Sequence, residues 1–333
     1  MLTFDQIKGQ DTVIAQLRRS VLEKRIGHAL LFAGPPGVGK GTTAQVLAAA
    51  LNCLQPWEGN PCGQCASCRL MISGNHPNLY RLLPGERSIK IEQIRQLQQT
   101  LSYKRWGSGY KVAILEGAEA LTLSAANSML KILEEPPSAT CFILVTDNVS
   151  ALLPTIVSRC QKLLFHQLSQ SVLQELLREH GLEPERAELL ARLSGGSMAR
   201  ALALAGDEAF WEDRRLAREY CRLLEEGDLW ESLELAALLE KRHNPGQILD
   251  FMEIWLRDLL VWQLCPSARL LINCDCVEEI ANGRYCPANL QKALAELHLT
   301  RRRLHQNANK RLALEVMALK LSRELPAAKE VTG

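Results

Sequence analysis

Residues 34–40 read Gly34-Pro35-Pro36-Gly37-Val38-Gly39-Lys40. They follow the apolar run His28-Ala29-Leu30-Leu31-Phe32-Ala33 and precede an alanine-rich helical pattern that continues through Ala50. A glycine-rich loop between a strand and a helix surrounds phosphate oxygens with backbone N–H groups, and its lysine neutralises the outer phosphates. This placement constrains the chain more than any other feature, because it demands a buried strand, a tight loop and a helix aimed at a nucleotide. Residues 34–40, with Gly41 and Thr42 beyond them, are the candidate ATP-binding residues.

Two departures limit what such a site can do. The position after the lysine ordinarily carries a Ser or Thr whose hydroxyl contacts Mg²⁺, and here it is Gly41. Thr42 is the next hydroxyl, but a helix turns about 100° per residue, so Thr42 points elsewhere and magnesium binding is weakened. Hydrolysis also needs an Asp at the end of a neighbouring strand to hold the metal and, in many ATPases, a group that orients water. The corresponding stretch reads Ile114-Leu115-Glu116-Gly117. Glu116 has the charge and a longer reach; Gly117 activates nothing, and Glu119 reads as a surface residue. The expectation is a site that binds ATP without hydrolysing it.

The rest of the first half supports an α/β unit. Residues 111–116 and 140–146 are two further near-continuous apolar strands, as suits a parallel sheet covered on both faces. Helical patterns at 91–101 and 124–134 lie between them, the second stopped by Pro136-Pro137. The doubly wound pattern ends near Phe165. Beyond His166 the signals are helical: a small unit over 168–204 broken at Gly195-Gly196, then candidates at 208–225, 228–241, 246–264, 288–305 and 309–324. A chain of 333 residues supports roughly two to three domains. We expect a core at 1–166, a helical lid at 167–206 and an all-α domain at 207–333.

A net charge of +2 demands neither nucleic acid nor a membrane surface, and the short basic runs Lys241-Arg242-His243 and Arg301-Arg302-Arg303 read as solvated helix faces. No signal peptide is visible. The most apolar helical candidate, 248–264, carries Asp250, Glu253, Arg257 and Asp258, which excludes a membrane span. The chain therefore reads as cytoplasmic, with its eleven cysteines reduced or bound to metal. Cys53, Cys62, Cys65 and Cys68 have the spacing of a closed tetrahedral zinc site, which is structural because no coordination position stays open. An iron–sulfur cluster takes the same four thiolates, but nothing else in the chain points to electron transfer. Cys274, Cys276 and Cys286 read as buried free thiols, with Cys265 a distant fourth, and Cys141 as a core residue.

These motifs run in one order with Asn127-Ser128-Met129-Leu130-Lys131-Ile132-Leu133-Glu134-Glu135-Pro136-Pro137 and Ser158-Arg159-Cys160. In that order the chain closely resembles the bacterial clamp-loader branch of the AAA+ ATPases. The likeness is strong over about residues 1–205 and weaker beyond, where it rests on residues 307–315. The resemblance implies an AAA+ core with a zinc module, a lid and an oligomerising collar. It implies that Arg159 is an arginine finger for a neighbouring subunit, since a guanidinium offers charge and a planar donor fork to a γ-phosphate. It matches Thr146 and Arg200 to the two sensor positions, although each also reads as an ordinary capping or surface group. Ile7, Gly9, Gln10 and His28 match the stretch that grips adenine.

Two functions follow from the resemblance. One is a stator that binds ATP, supplies Arg159 in trans and works with tau/gamma-type motor subunits and a clamp-opening subunit to load a sliding clamp on primed DNA. The other is a motor that hydrolyses ATP itself. Gly41 and Glu116-Gly117 favour the stator. Lys90, Arg95, Lys104 and Arg105 are candidate phosphate contacts that read equally well as solvated surface. No carboxylate pair suited to polymerase chemistry is present.

Overall fold

The computed structural model describes residues 3–85, 88–226, 229–242, 245–283, 285–306 and 308–325. His243 and Asn307, which belong to motifs above, lie outside the described residues. Contacts divide the chain into two compact units, Met1–Glu179 with Ser194–Ala201, and His180–Leu193 with Leu202–Gly333.

The first unit is built on five parallel strands: β1 (Ala29–Ala33), β2 (Leu79–Leu82), β3 (Lys111–Glu116), β4 (Thr140–Thr146) and β5 (Gln161–Leu164). Their order is β2-β3-β4-β1-β5, every pair parallel. The central strands β1 and β4 are buried along their whole length, as their unbroken apolar runs require. Alternate residues feed two cores. Leu30 and Phe32 of β1 join Val13, Ile14 and Leu17 of α1 (Asp11–Leu22) and Val46 and Leu47 of α2 (Lys40–Asn52). Ala29, Leu31 and Ala33 face the other way, with Ile94, Leu97 and Leu101 on one helix and Met129 and Leu133 on another.

Between α2 and β2 a short helix, α3 (Ala66–Ile72), carries the last of the clustered cysteines. The two helices of the second core are α4 (Ile91–Ser102) and α5 (Leu123–Glu134), close to their expected bounds. The Thr122 hydroxyl caps α5 by accepting from the Ala125 N–H at 3.3 Å, and Pro136 follows its end. The C-terminus of α4 is closed by a buried lysine on β3. Lys111 Nζ donates to the Leu101 carbonyl at 2.5 Å and also to that of Tyr103. A short helix, α6 (Pro154–Val157), leads into β5, and α7 (Gln170–Glu179) closes this part of the unit.

The second unit is helical. It contains α8 (Pro184–Leu193), the second half of the helix α9 (Met198–Ala205), α10 (Glu208–Glu226), α11 (Leu229–Lys241), α12 (Pro245–Leu264), α13 (Val277–Asn282), α14 (Pro287–His305) and α15 (Lys310–Glu324). Tyr220, Met252, Leu256, Leu290, Leu297, Met317 and Leu321 share its core. Asp258 is fully buried, yet its carboxylate accepts from the Ile272 and Asn273 backbone N–H groups, from Asn273 Nδ2 and from Arg257. The expected lid segment is shared, with α7 in the first unit and α8 in the second. Among the described residues, no helix is long and apolar enough to cross a membrane.

Lys111 gives a direct test of how the first unit is held. Lys111→Met keeps the apolar stem but takes the donor from the buried Leu101 carbonyl and the part-buried Tyr103 carbonyl, so stability should fall by about 1–3 kcal/mol. Chemical denaturation followed by circular dichroism measures the loss.

Candidate functional site

The loop at residues 34–40 leaves the carboxyl end of β1, which lies between β4 and β5. From β1 the chain crosses to the far edge, returns through β3 and β4, and then passes over β1 to β5. Ligands of open parallel sheets bind where the order reverses in this way. Gly37 (φ +74°) and Gly39 (φ +95°) adopt left-handed backbone that lets the loop close before α2. At Gly37 a side chain is also excluded by packing, since an added Cβ would lie 2.2 Å from Ser197 Oγ. The Gly37 carbonyl accepts from the Met198 N–H at 2.9 Å, so the loop is tied to the first turn of α9. Val38 is buried beneath it.

Lys40 is only 4% exposed, and its ammonium is fully engaged. Nζ donates to the Gly34 carbonyl at 2.7 Å, the Pro35 carbonyl at 2.5 Å and Asp147 Oδ1 at 2.7 Å. Asp147 follows β4 and escaped the sequence reading, because an aspartate after a strand looks like a turn residue. Thr146 is buried beside it. Its carbonyl accepts from the Gly34 N–H at 3.3 Å and its hydroxyl accepts from the Asn148 N–H at 3.1 Å. The threonine thus caps its own turn while lying against the loop. Arg200 is exposed on the first turn of α9, two residues after the N–H that meets Gly37.

The metal side of the site differs from what magnesium needs. Gly41 faces Glu116, and a Cβ added to it would lie 3.6 Å from Glu116 Oε2. Glu116 is in turn bound by Arg81 of β2, with Nη2 2.6 Å from Oε1. Thr42 lines a pocket of about 310 Å³ with Val46, Met71, Ile72, Leu79 and Arg81. The Thr43 hydroxyl donates to the Gly39 carbonyl at 2.8 Å. The residues present therefore do not fit a P-loop magnesium ion: the hydroxyl is missing and the carboxylate already has a cation. Glu119 is half-buried rather than a plain surface residue, and its Oε2 has no partner.

Of the residues matched to adenine binding, Gln10 is buried and pairs both ways with His166: Nε2 donates to its carbonyl at 2.7 Å and Oε1 accepts from its N–H at 3.1 Å. Gly9 (φ +75°) passes against Leu168. This fastens the N-terminal segment to the chain that leaves β5.

Arg159 lies elsewhere. Gln161 is level with Leu30, at the amino end of β1, whereas the loop leaves its carboxyl end. About 10 Å of strand, at about 3.3 Å per residue, separates the two levels. Arg159 is 36% exposed at the side chain, with Nη2 2.5 Å from Glu134 Oε1 and Nη1 donating to the Thr155 carbonyl at 3.0 Å. Its neighbour Cys160 packs into the core beside α5, where burial pushes the thiol up to about 11. Ser158-Arg159-Cys160 therefore pairs an anchored thiol with an outward guanidinium.

The four clustered cysteines converge. Their sulfurs all lie within 4.8 Å of one another, and Cys62 Sγ is 3.9 Å from Cys68 Sγ. Zinc–sulfur bonds of about 2.3 Å in a tetrahedron require sulfurs about 3.8 Å apart, so the group fits zinc. Backbone N–H groups support the sulfurs: Cys62 N–H donates to Cys53, Cys65 N–H to Cys62 and Cys68 N–H to Cys65. Burial raises the Cys65 thiol, but donors from Leu54 and Cys68 outweigh it and bring it down to about 6. Burial pushes Cys53 and Cys68 up. The cysteine loop also fastens α1, since Arg18 donates to the Glu58 carbonyl, and Asn60 holds the Phe4 N–H at 2.9 Å and Asp5 at 2.6 Å. Among the other cysteines, Cys141 and Cys276 are buried and Cys274 half-buried. Cys265 and Cys286 are exposed, which corrects the expectation of a buried thiol at Cys286; each ends or precedes a helix rather than lying on its packed face.

Residues 9–169 match a family model described as DNA polymerase III, delta subunit, and residues 208–323 match one for the C-terminal part of that subunit. The chain is 32% identical to DNA polymerase III subunit delta' of Bacillus subtilis, over 94% of this chain and 96% of that protein. The chain belongs to the DNA polymerase III delta' family. The Escherichia coli delta' protein is 34% identical over 81% of this chain and 80% of its own length. The tau subunit of Bacillus subtilis is 29% identical, but only 51% of it is covered. The first family match lies within the sheet unit and the second within the helical unit.

For this delta' family member, Cys65→Ser should lower bound zinc from one equivalent towards none and reduce the melting temperature, because the sulfurs join the end of α2 to α3. Metal analysis and thermal denaturation check both; full zinc content with unchanged melting would exclude the assignment.

Proposed function

We infer that this chain is a clamp-loader subunit in DNA replication, acting as a stator that binds ATP, does not hydrolyse it, and supplies Arg159 to a neighbouring subunit. The observation that carries this reading is the strand register, which sets Arg159 at the amino end of β1 and the phosphate loop at the other end. A guanidinium there is turned away from its own loop and outward, so any phosphate it meets belongs to another chain. Glu134 holds it on the surface until then.

Several features support the non-hydrolysing part. Gly41 has no hydroxyl, Glu116 is engaged by Arg81, and Gly117 has no group to orient water. Residues 34–42, with Glu116, Thr146 and Arg200 around them, form the ATP site, and the four cysteines hold structural zinc. The three-part division into core, lid and collar belongs to the same reading. Partners are motor subunits of the tau/gamma type, to which the sequence is also similar, a clamp-opening delta subunit, the sliding clamp and primed DNA. The cytoplasm is the expected compartment.

Reconstitution tests it. Arg159→Ala in an assembled ring should remove part of the clamp- and DNA-stimulated ATPase, because a finger is worth about 10³–10⁵ in rate at the one site it serves. Unchanged turnover in an intact ring would overturn the trans role. The isolated chain should turn over no ATP above background; brisk hydrolysis by pure protein would restore the motor reading.

A further inference from the structure

Metal-dependent P-loops hold Mg²⁺ by two protein groups, the hydroxyl after the lysine and the carboxylate ending the neighbouring strand. Here the first is Gly41 and the second, Glu116, is directly opposite it. The Glu116 carboxylate is 2.6 Å from the Arg81 guanidinium. Other nearby groups are engaged too: Asp147 is bound to Lys40, the Thr43 hydroxyl to the Gly39 carbonyl, and Thr42 lines the pocket beside α3.

We propose that this site takes a nucleoside triphosphate without a divalent metal, with the Arg81 guanidinium, fixed by Glu116, as the resident cation beside Gly41. The proposal rests on the reading of residues 34–40 as a phosphate site. Mg²⁺ binds through one or two carboxylates and substrate phosphates and keeps several waters. A carboxylate that already carries a guanidinium contributes little net charge to such a shell. Arg81 is on β2 opposite Ile114 of β3, two residues before Glu116 and so on the same face of the sheet, which lets its side chain reach the carboxylate. The metal-free site has a consequence for discrimination, since the magnesium complex gains no protein contact over free triphosphate.

The test is calorimetric titration of the full-length, zinc-loaded chain with ATP in magnesium-free buffer and in millimolar magnesium. Chelators are omitted so that the cysteine site keeps its metal, and zinc content is measured afterwards. Magnesium should leave the affinity unchanged or lower it. Tightening by about tenfold or more, the size of effect expected when one metal-supporting group matters, would overturn the proposal. Absence of binding in both buffers would instead overturn the phosphate-site reading, and this inference with it. Two variants test Arg81 itself. Gly41→Ser, whose Cβ has room beside Glu116, should stay indifferent to magnesium while the ion pair survives. Gly41→Ser with Arg81→Gln frees Glu116 and should become metal-dependent by about tenfold or more. Metal dependence in the single variant, or indifference in the double variant, would remove Arg81 from the role.

Discussion

Everything in the sheet unit depends on one constraint: five parallel strands put all their carboxyl ends on one side. Parallel strands cannot turn back through a hairpin, so each connection crosses a face and delivers its next residues to the opposite end. The phosphate loop, Glu116, Thr146 and Asp147 all follow strand ends and therefore meet. Arg159 precedes a strand and therefore cannot join them. The same register that brings the loop, Glu116 and Asp147 together sets the arginine at the other end of the sheet.

Within that frame the backbone hydrogen bonds are nearly automatic, and the differences from a hydrolytic site come from a few side chains. Lys40, Asp147, Glu116 and Arg81 form two ion pairs around the loop. The Lys40 pair has one deeply buried member, so Coulomb attraction there is screened less than at an open surface. The Arg81 pair is more exposed and contributes mainly through occupancy, by keeping the carboxylate engaged. Glycine at position 41 removes the remaining partner a metal would use.

Much of this was legible from residue order, and the gaps have physical causes. β1, β3 and β4 announce themselves because both their faces are buried and their runs are apolar throughout. β2 and β5 are edge strands with one neighbour each, and Leu79-Tyr80-Arg81-Leu82 and Gln161-Lys162-Leu163-Leu164 carry the polar residues such edges tolerate. Missing β2 meant missing Arg81, whose meaning is its neighbour on β3 and not its neighbours in sequence. Asp147 and the Gln10–His166 pairing were hidden for the same reason, since their partners lie 107 and 156 residues away. The helices of the second unit were nearer to hand, because 3.6-residue periodicity is local. The cysteine site was read almost whole from spacing, although its grip on α1 through Arg18 and Asn60 was not.

The Lys40–Asp147 pair changes what nucleotide binding means for this chain. The ammonium already has an anion at 2.7 Å and two carbonyls, so an arriving triphosphate exchanges one negative partner for another. Its gain at that point is a difference between two anions and not the full attraction of an unpaired charge. On the reading of this loop as a phosphate site, the protein's own carboxylate therefore competes with the ligand for the ammonium.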